Sequence, residues 1–124
     1  MPHEELELEM RHGSDSAMDE IIETAFQIIL HAGNGKSNAM EAIQEAKAGR
    51  FSEADRLIQE AGEELVKAHD HQTRLLQGEA GGKTTPVNVI LVHSLDHLMT
   101  SMAVRDLAVE IIELYRSNRS GGNA

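Results

Sequence analysis

From Val87 to Arg116 the chain contains neither glycine nor proline. Thr85-Pro86 stands just before that run as an N-cap followed by a first-turn proline, so the segment predicts one long helix. Its apolar residues do not keep to a single stripe. Val87, Val89, Ile90, Leu91, Val92, Leu95, Leu98, Met99, Met102, Val104, Leu107, Val109, Ile111, Ile112 and Leu114 cover more than one face. A helix on the outside of a small monomeric bundle needs one apolar stripe. A second apolar face calls for further neighbours. The expectation is an antiparallel helical bundle that associates with copies of itself through this last helix.

Upstream, Ala54, Leu57, Ile58, Ala61, Leu65, Ala68, Gln72, Leu75 and Leu76 share one helical face. Ser52 with Asp55 reads as a capping box, with Phe51 placed to staple onto Arg56 or Leu57, and the helix should end near Gly78. Before it, Ile21, Ile22, Ala25, Phe26, Ile28, Ile29 and Ala32 form a broad stripe starting after a Ser16 N-cap. Gly33-Asn34-Gly35 signals a stop or kink. The pattern resumes at Ser37 and ends at Gly49, so the first helix should be kinked or split. Residues 1–23 hold eight acids against one base, Arg11. Within them, 1–15 reads as a disordered acidic tail and 117–124 as a flexible one. The folded domain is therefore expected over 16–116.

Composition removes several classes of function. The chain has 124 residues, enough for one domain and too few for two. Its aromatics are two Phe and one Tyr, which argues against an all-β fold and leaves almost no platform for stacking bases. A net charge of −10 repels phosphate backbones, so no nucleic-acid partner is expected. No cysteine is present, which excludes thiolate chemistry and fits a cytoplasmic address. The sequence shows no signal peptide and no run long enough to span a membrane, so no direct membrane insertion is expected. The GKS at Gly35-Lys36-Ser37 follows no strand and lacks phosphate-loop spacing.

Histidine is the anomaly, with seven in the chain. His3, His12 and His31 look unremarkable. The other four fall in two clusters, AHDHQT (His69, His71) and VHSLDH (His93, His97). If the last two helices form an antiparallel hairpin, His71 lies level with His93, Gln72 with Val92 and His69 with Leu95. His93, Asp96 and His97 share a helical face at i, i+3, i+4. Two chemistries fit. Two imidazoles and a carboxylate have the spacing of metal ligands. Alternatively, a neutral imidazole is a good nucleophile near pH 7 and can carry a phosphoryl group covalently.

AHDHQTRLLQGEAGG followed by VHSLDHLMTSM resembles the enzyme IIA component, lactose/cellobiose (N,N'-diacetylchitobiose) type, of the bacterial phosphoenolpyruvate-dependent sugar phosphotransferase system. The likeness runs from about Ala17 to Arg116 and includes the AGNGKS and AKAGRFSEAD segments. It implies an all-α, antiparallel three-helix bundle associated as a trimeric nine-helix bundle. It implies that His93 is the phosphohistidine and that Asp96 binds a divalent cation at the trimer centre. It implies HPr as phosphoryl donor and a cysteine of the IIB component as acceptor, during uptake of a β-linked disaccharide such as cellobiose, chitobiose or lactose.

The residue types suit those roles. Three carboxylates meeting on an axis repel one another, and a cation relieves this; oxygen-only ligation suits Mg²⁺, one per trimer. Gln72, His69 and Ser94 can donate to phosphoryl oxygens or orient the ring, and His97 is a competing imidazole one turn away. The alternative is a non-catalytic oligomeric helical protein built around a His/Asp divalent metal site.

Overall fold

The computed structural model describes residues 2–121, with side-chain surroundings for 3–8 and 16–120. Three helices make up the fold: α1 (Pro2–Lys47), α2 (Phe51–Ala80) and α3 (Val89–Gly121). They lie antiparallel in sequence order. No strand occurs among the described residues.

Burial on α1 follows a seven-residue repeat. Ile21, Ala25, Ile28, Ala32, Gly35, Ala39, Ala42 and Ala46 are buried at alternating spacings of four and three. That spacing keeps one seam facing its partners, as in a left-handed bundle. On α3 the buried set is Leu91, Ser94, Leu98, Ser101, Ala108 and Ile112, in the same rhythm. Most buried positions on α1 are alanine, so backbones approach closely and large side chains come from α2 and α3. One layer joins Ile28 and Ala32 to Leu65, Ala68 and Leu98. A second joins Ala39, Ala61 and Ala108. A third joins Ala42, Ala46, Ala54, Leu57 and Ile112, with Phe51 and Tyr115 packed on its rim. As a result α1 packs along both other helices, while α2 and α3 touch each other much less.

The helix boundaries differ from the sequence reading in four places. First, α1 is continuous through Gly33-Asn34-Gly35, with no split. Gly35 is glycine because α2 is close there: a Cβ would lie 2.8 Å from Leu65 Cγ and 3.2 Å from the Ala61 carbonyl oxygen. The residue serves packing, and the repeat on either side supplies enough burial to hold the helix.

Second, the segment expected to be a disordered tail is helical from Pro2. Pro at the first turn, Glu4 and Glu5 facing the positive end of the helix dipole, and good helix formers after them all favour this. Leu6 and Leu8 are exposed, so residues 3–8 bury little.

Third, α2 starts at Phe51 with Arg50 in the cap position and no side-chain cap bond, so the Ser52 capping box does not form. The preceding turn is fixed by Gly49, at φ +83°, which ends α1. Gly49 N–H donates to Ala46 O and Arg50 N–H to Glu45 O, satisfying the last carbonyls. A side chain on Gly49 would also collide with Arg119.

Fourth, α3 starts at Val89 and its cap is Asn88, whose Oδ1 accepts the Leu91 N–H at 2.8 Å. Thr85-Pro86 lies three residues too early. At the other end α3 continues through 117–121. Ser120 Oγ donates to Arg116 O, Arg116 pairs with Asp55 at 2.6 Å, and Arg116 and Arg119 lie over the Phe51 ring. The rest of the expected C-terminal tail lies outside the described residues.

Gly35→Ala tests the close approach. Alanine in a helix interior normally gains about 1 kcal/mol over glycine. Here the Cβ meets Leu65 and a backbone carbonyl, so we expect a net loss of about 1–3 kcal/mol by overpacking. Urea unfolding should show a lower midpoint with the slope unchanged. An unchanged or raised midpoint would contradict close packing at this position.

Candidate functional site

The two histidine clusters share a level of the bundle but not a side of it. Successive helical residues are rotated by about 100°, so His69 and His71 project to opposite sides of α2. His71 turns toward α1, where its ring stacks on His31 with centroids 6.3 Å apart and planes 10° from parallel. His69 is exposed and lines a groove between α2 and α3 with Gln59, Leu65, Val66, Met102 and Arg105, about 590 Å³ in volume. Its Nδ1 lies 3.4 Å from Thr73 Oγ1. Gln72 is half-buried in a smaller cleft with Leu91, Val92 and Leu95, so the expected pairing of Gln72 with Val92 holds.

On α3, His93 is exposed and His97 half-buried. Their rings are parallel, 4° apart, with centroids separated by 6.1 Å. His97 Nε2 faces α1 at Gly33. Ser94, expected to reach a phosphoryl group, is fully buried, and its hydroxyl donates to Leu91 O at 2.7 Å. A side chain so placed faces the core and has its hydroxyl proton committed to its own helix. Asp96 is exposed, and its carboxylate makes no hydrogen bond or ion pair among the described residues. It sits within a stripe of α3 formed by Val89, Val92, Met99, Leu107 and Leu114, each more than half exposed. No three His, Asp or Glu side chains gather into a cation cage among the described residues.

The sequence reading missed His31 and Glu64. His31 Nδ1 and Glu64 Oε2 are 2.6 Å apart across the α1–α2 seam. The signal was antiparallel folding about Gly49, which brings His31 to the level of the AHDHQT cluster. Taking Gly33–Gly35 as a break put His31 at a helix end instead. The His31 hydrogen bond holds the Glu64 carboxyl below its ordinary range, helped by Lys67. Burial pushes the His71 imidazole down, reinforced by Arg74 and His31 and opposed by Asp70. A neutral His71 thus stacks on an imidazole already engaged by a carboxylate.

The chain matches the family model for the lactose/cellobiose-specific IIA subunit of the sugar phosphotransferase system over residues 23–116. The chain belongs to that family. It is 56% identical over 97 residues to the lichenan-specific phosphotransferase enzyme IIA component of Bacillus subtilis, covering 78% of this chain and 88% of that one. The crystal structure of the cellobiose-specific enzyme IIA from Bacillus anthracis superposes with a TM-score of 0.78 at 45% identity, over 79% of this chain and 90% of that one. A solution structure of the IIA(Chitobiose)–HPr complex of the N,N'-diacetylchitobiose branch of the Escherichia coli phosphotransferase system matches with a TM-score of 0.70 at 37% identity, over 80% and 96%. No helix among the described residues of this IIA chain is long and apolar enough to cross a membrane.

The two lowered groups give acid sensitivity of one sign. His71 binds a proton less readily folded than unfolded, so stability falls as pH drops below the ordinary histidine range. Glu64 contributes stability that is complete above the ordinary carboxylate range and is lost as pH falls through its lowered folded value. Denaturation midpoints measured against pH should therefore fall in two steps. His71→Gln should remove the upper step, and Glu64→Gln should shrink the lower one, which Glu53 beside Arg56 shares. A Glu64→Gln profile parallel to wild type down to the acid limit would contradict the pairing.

Proposed function

We propose that this IIA protein is a cytoplasmic phosphoryl carrier. It accepts the group from phosphorylated HPr on His93 and passes it to a cysteine of the IIB component during uptake of a β-linked disaccharide such as cellobiose, chitobiose or lactose. The observation that carries this reading is the His93 ring itself: exposed, on a rigid helix, and backed by the parallel ring of His97. A lone pair on one ring nitrogen attacks phosphorus, and a new P–N bond forms. The bond to the HPr imidazole breaks, and its electron pair stays with that nitrogen. In the second step a IIB thiolate attacks phosphorus and the His93 imidazole leaves with its lone pair. Little else is covalent, so the protein's contribution is positioning and charge stabilisation. Phe26 and Leu30 share the α1 face that carries Gly33, and both are about half exposed, offering an apolar docking margin beside the histidines. The relative that forms an HPr complex supports HPr as donor.

The same reading includes a homotrimer closed by α3. The exposed stripe around Asp96 supports it, as does Arg105, whose Nε is buried without a hydrogen-bond partner beside the α2–α3 groove. Three Asp96 carboxylates would meet on the axis and hold a divalent cation, Mg²⁺ by their hard-oxygen chemistry. His69 and Gln72 line clefts between α2 and α3, and the same reading has them donate to phosphoryl oxygens or orient the ring.

The function is tested by incubating the protein with phosphoenolpyruvate, enzyme I and HPr and measuring intact mass without acid. We expect one added phosphoryl group, located on the His93 peptide, and none in His93→Ala. Transfer to His93→Ala at the wild-type rate would overturn the assignment. The cation is tested separately by thermal unfolding with a chelator. Wild type should lose stability near neutral pH and lose less at mildly acid pH, where clustered carboxylates protonate. Asp96→Leu should stay folded and ignore the chelator, since apolar volume replaces a buried charge cluster. A wild-type melting temperature indifferent to chelator at neutral pH would refute a structural cation.

A further inference from the structure

Gly33 lies in the interior of a 46-residue helix, where glycine is about 1 kcal/mol worse than alanine. Its neighbour Gly35 has a packing reason, the approach of Leu65 and the Ala61 carbonyl. Gly33 meets neither. What stands opposite it is the Nε2 of His97, 3.4 Å from where a Cβ would be. Alanine would bring a methyl into contact with that nitrogen, and a longer side chain would need the space the ring occupies.

The other side of the ring also has a neighbour. His97 lies parallel to His93 at 6.1 Å, within the range of stacked aromatic pairs. Its backbone is held firmly. Ser94 ties α3 to its own preceding turn, Leu98 is fully buried, and Thr100 Oγ1 donates to the Asp96 and His97 carbonyls at 3.0 and 3.1 Å. The free variable is the His97 ring, and the bare backbone at Gly33 leaves it its place.

We propose that Gly33 is a positioning residue for phosphoryl transfer: it leaves α1 bare where His97 docks, and His97 in turn holds the His93 ring in one orientation. The proposal rests on His93 being the phosphoacceptor. A nucleophilic ring nitrogen must meet phosphorus in line, and small misplacements at such a centre lower the rate steeply. An exposed imidazole on a helix surface would otherwise sample several rotamers. The geometry therefore runs from a helical glycine, through a half-buried imidazole, to an exposed one.

The test is a double-mutant cycle on the full chain, with phosphoryl transfer from phosphorylated HPr as one readout and the ¹⁵N imidazole signals of His93 as the other. The loss of rate should grow with side-chain size at 33, slight for Gly33→Ala and about tenfold for Gly33→Leu, a coupling ordinary for residues in contact. The His93 signals should shift in Gly33→Leu while the circular dichroism stays helical. In a His97→Ala background, where the ring is gone, Gly33→Leu should cost nothing further. Should Gly33→Leu unfold, Gly33→Ser gives the same readouts with a smaller side chain. Equal slowing with and without His97, or unmoved His93 signals, would overturn the proposal. A wild-type protein that takes no phosphoryl group on His93 would instead overturn the functional reading, and the ring signals would still decide whether Gly33 sets the ring's orientation.

Discussion

The close approach of α1 to its two neighbours sets the rest of the structure. Six of the eight residues of its seam are alanine or glycine, the other two Ile21 and Ile28, repeating at fours and threes from Ile21 to Ala46. Small residues bring backbones together and leave the larger Leu65, Leu57, Leu98 and Ile112 of α2 and α3 to fill the layers. α1 packs along both, and α2 and α3 touch each other less. The α2–α3 groove and the apolar outer stripe of α3 follow from that geometry.

The same geometry distributes the histidines. Those in the seams along α1 are engaged: His31 of α1 with Glu64 and His71 of α2 on one seam, His97 of α3 against Gly33 on the other. Those turned outward, His69 and His93, are exposed. On the proposed reading, chemistry with a partner protein falls to His93, whose ring lies parallel to that of His97. The carboxylate one turn from it, Asp96, lies on the outward stripe and has no counter-charge of its own chain among the described residues.

Much of this is legible in the residues. The glycine-free run to Arg116 announces the body of α3, which continues to Gly121, and its second apolar face is the exposed stripe of Val92, Met99 and Leu107. The level of Gln72 with Val92 follows from antiparallel folding alone. Rotation about the helix axes is harder to read, because a hairpin register fixes height and not facing. Register alone therefore puts His71 and Ser94 at a site they turn away from. Local propensity misleads at Gly33-Asn34-Gly35, where the seven-residue repeat runs straight through, and at Thr85-Pro86, where Asn88 caps instead. In each case tertiary burial or a nearer hydrogen bond outweighs the breaker. The Glu64 partner of His31 carries no sequence motif, since the two are joined only across a seam.

An apolar stripe of this size on α3, wrapped around an ionisable residue, is the ground for the proposed closure on further copies of the chain. Sedimentation equilibrium at micromolar concentration measures that directly. The expected result is a single species of three times 13.6 kDa, persisting on dilution, with dissociation promoted by a charged substitution such as Met99→Glu. A 13.6 kDa species under the same conditions, with Val92, Met99 and Leu107 open to solvent, would contradict closure through α3.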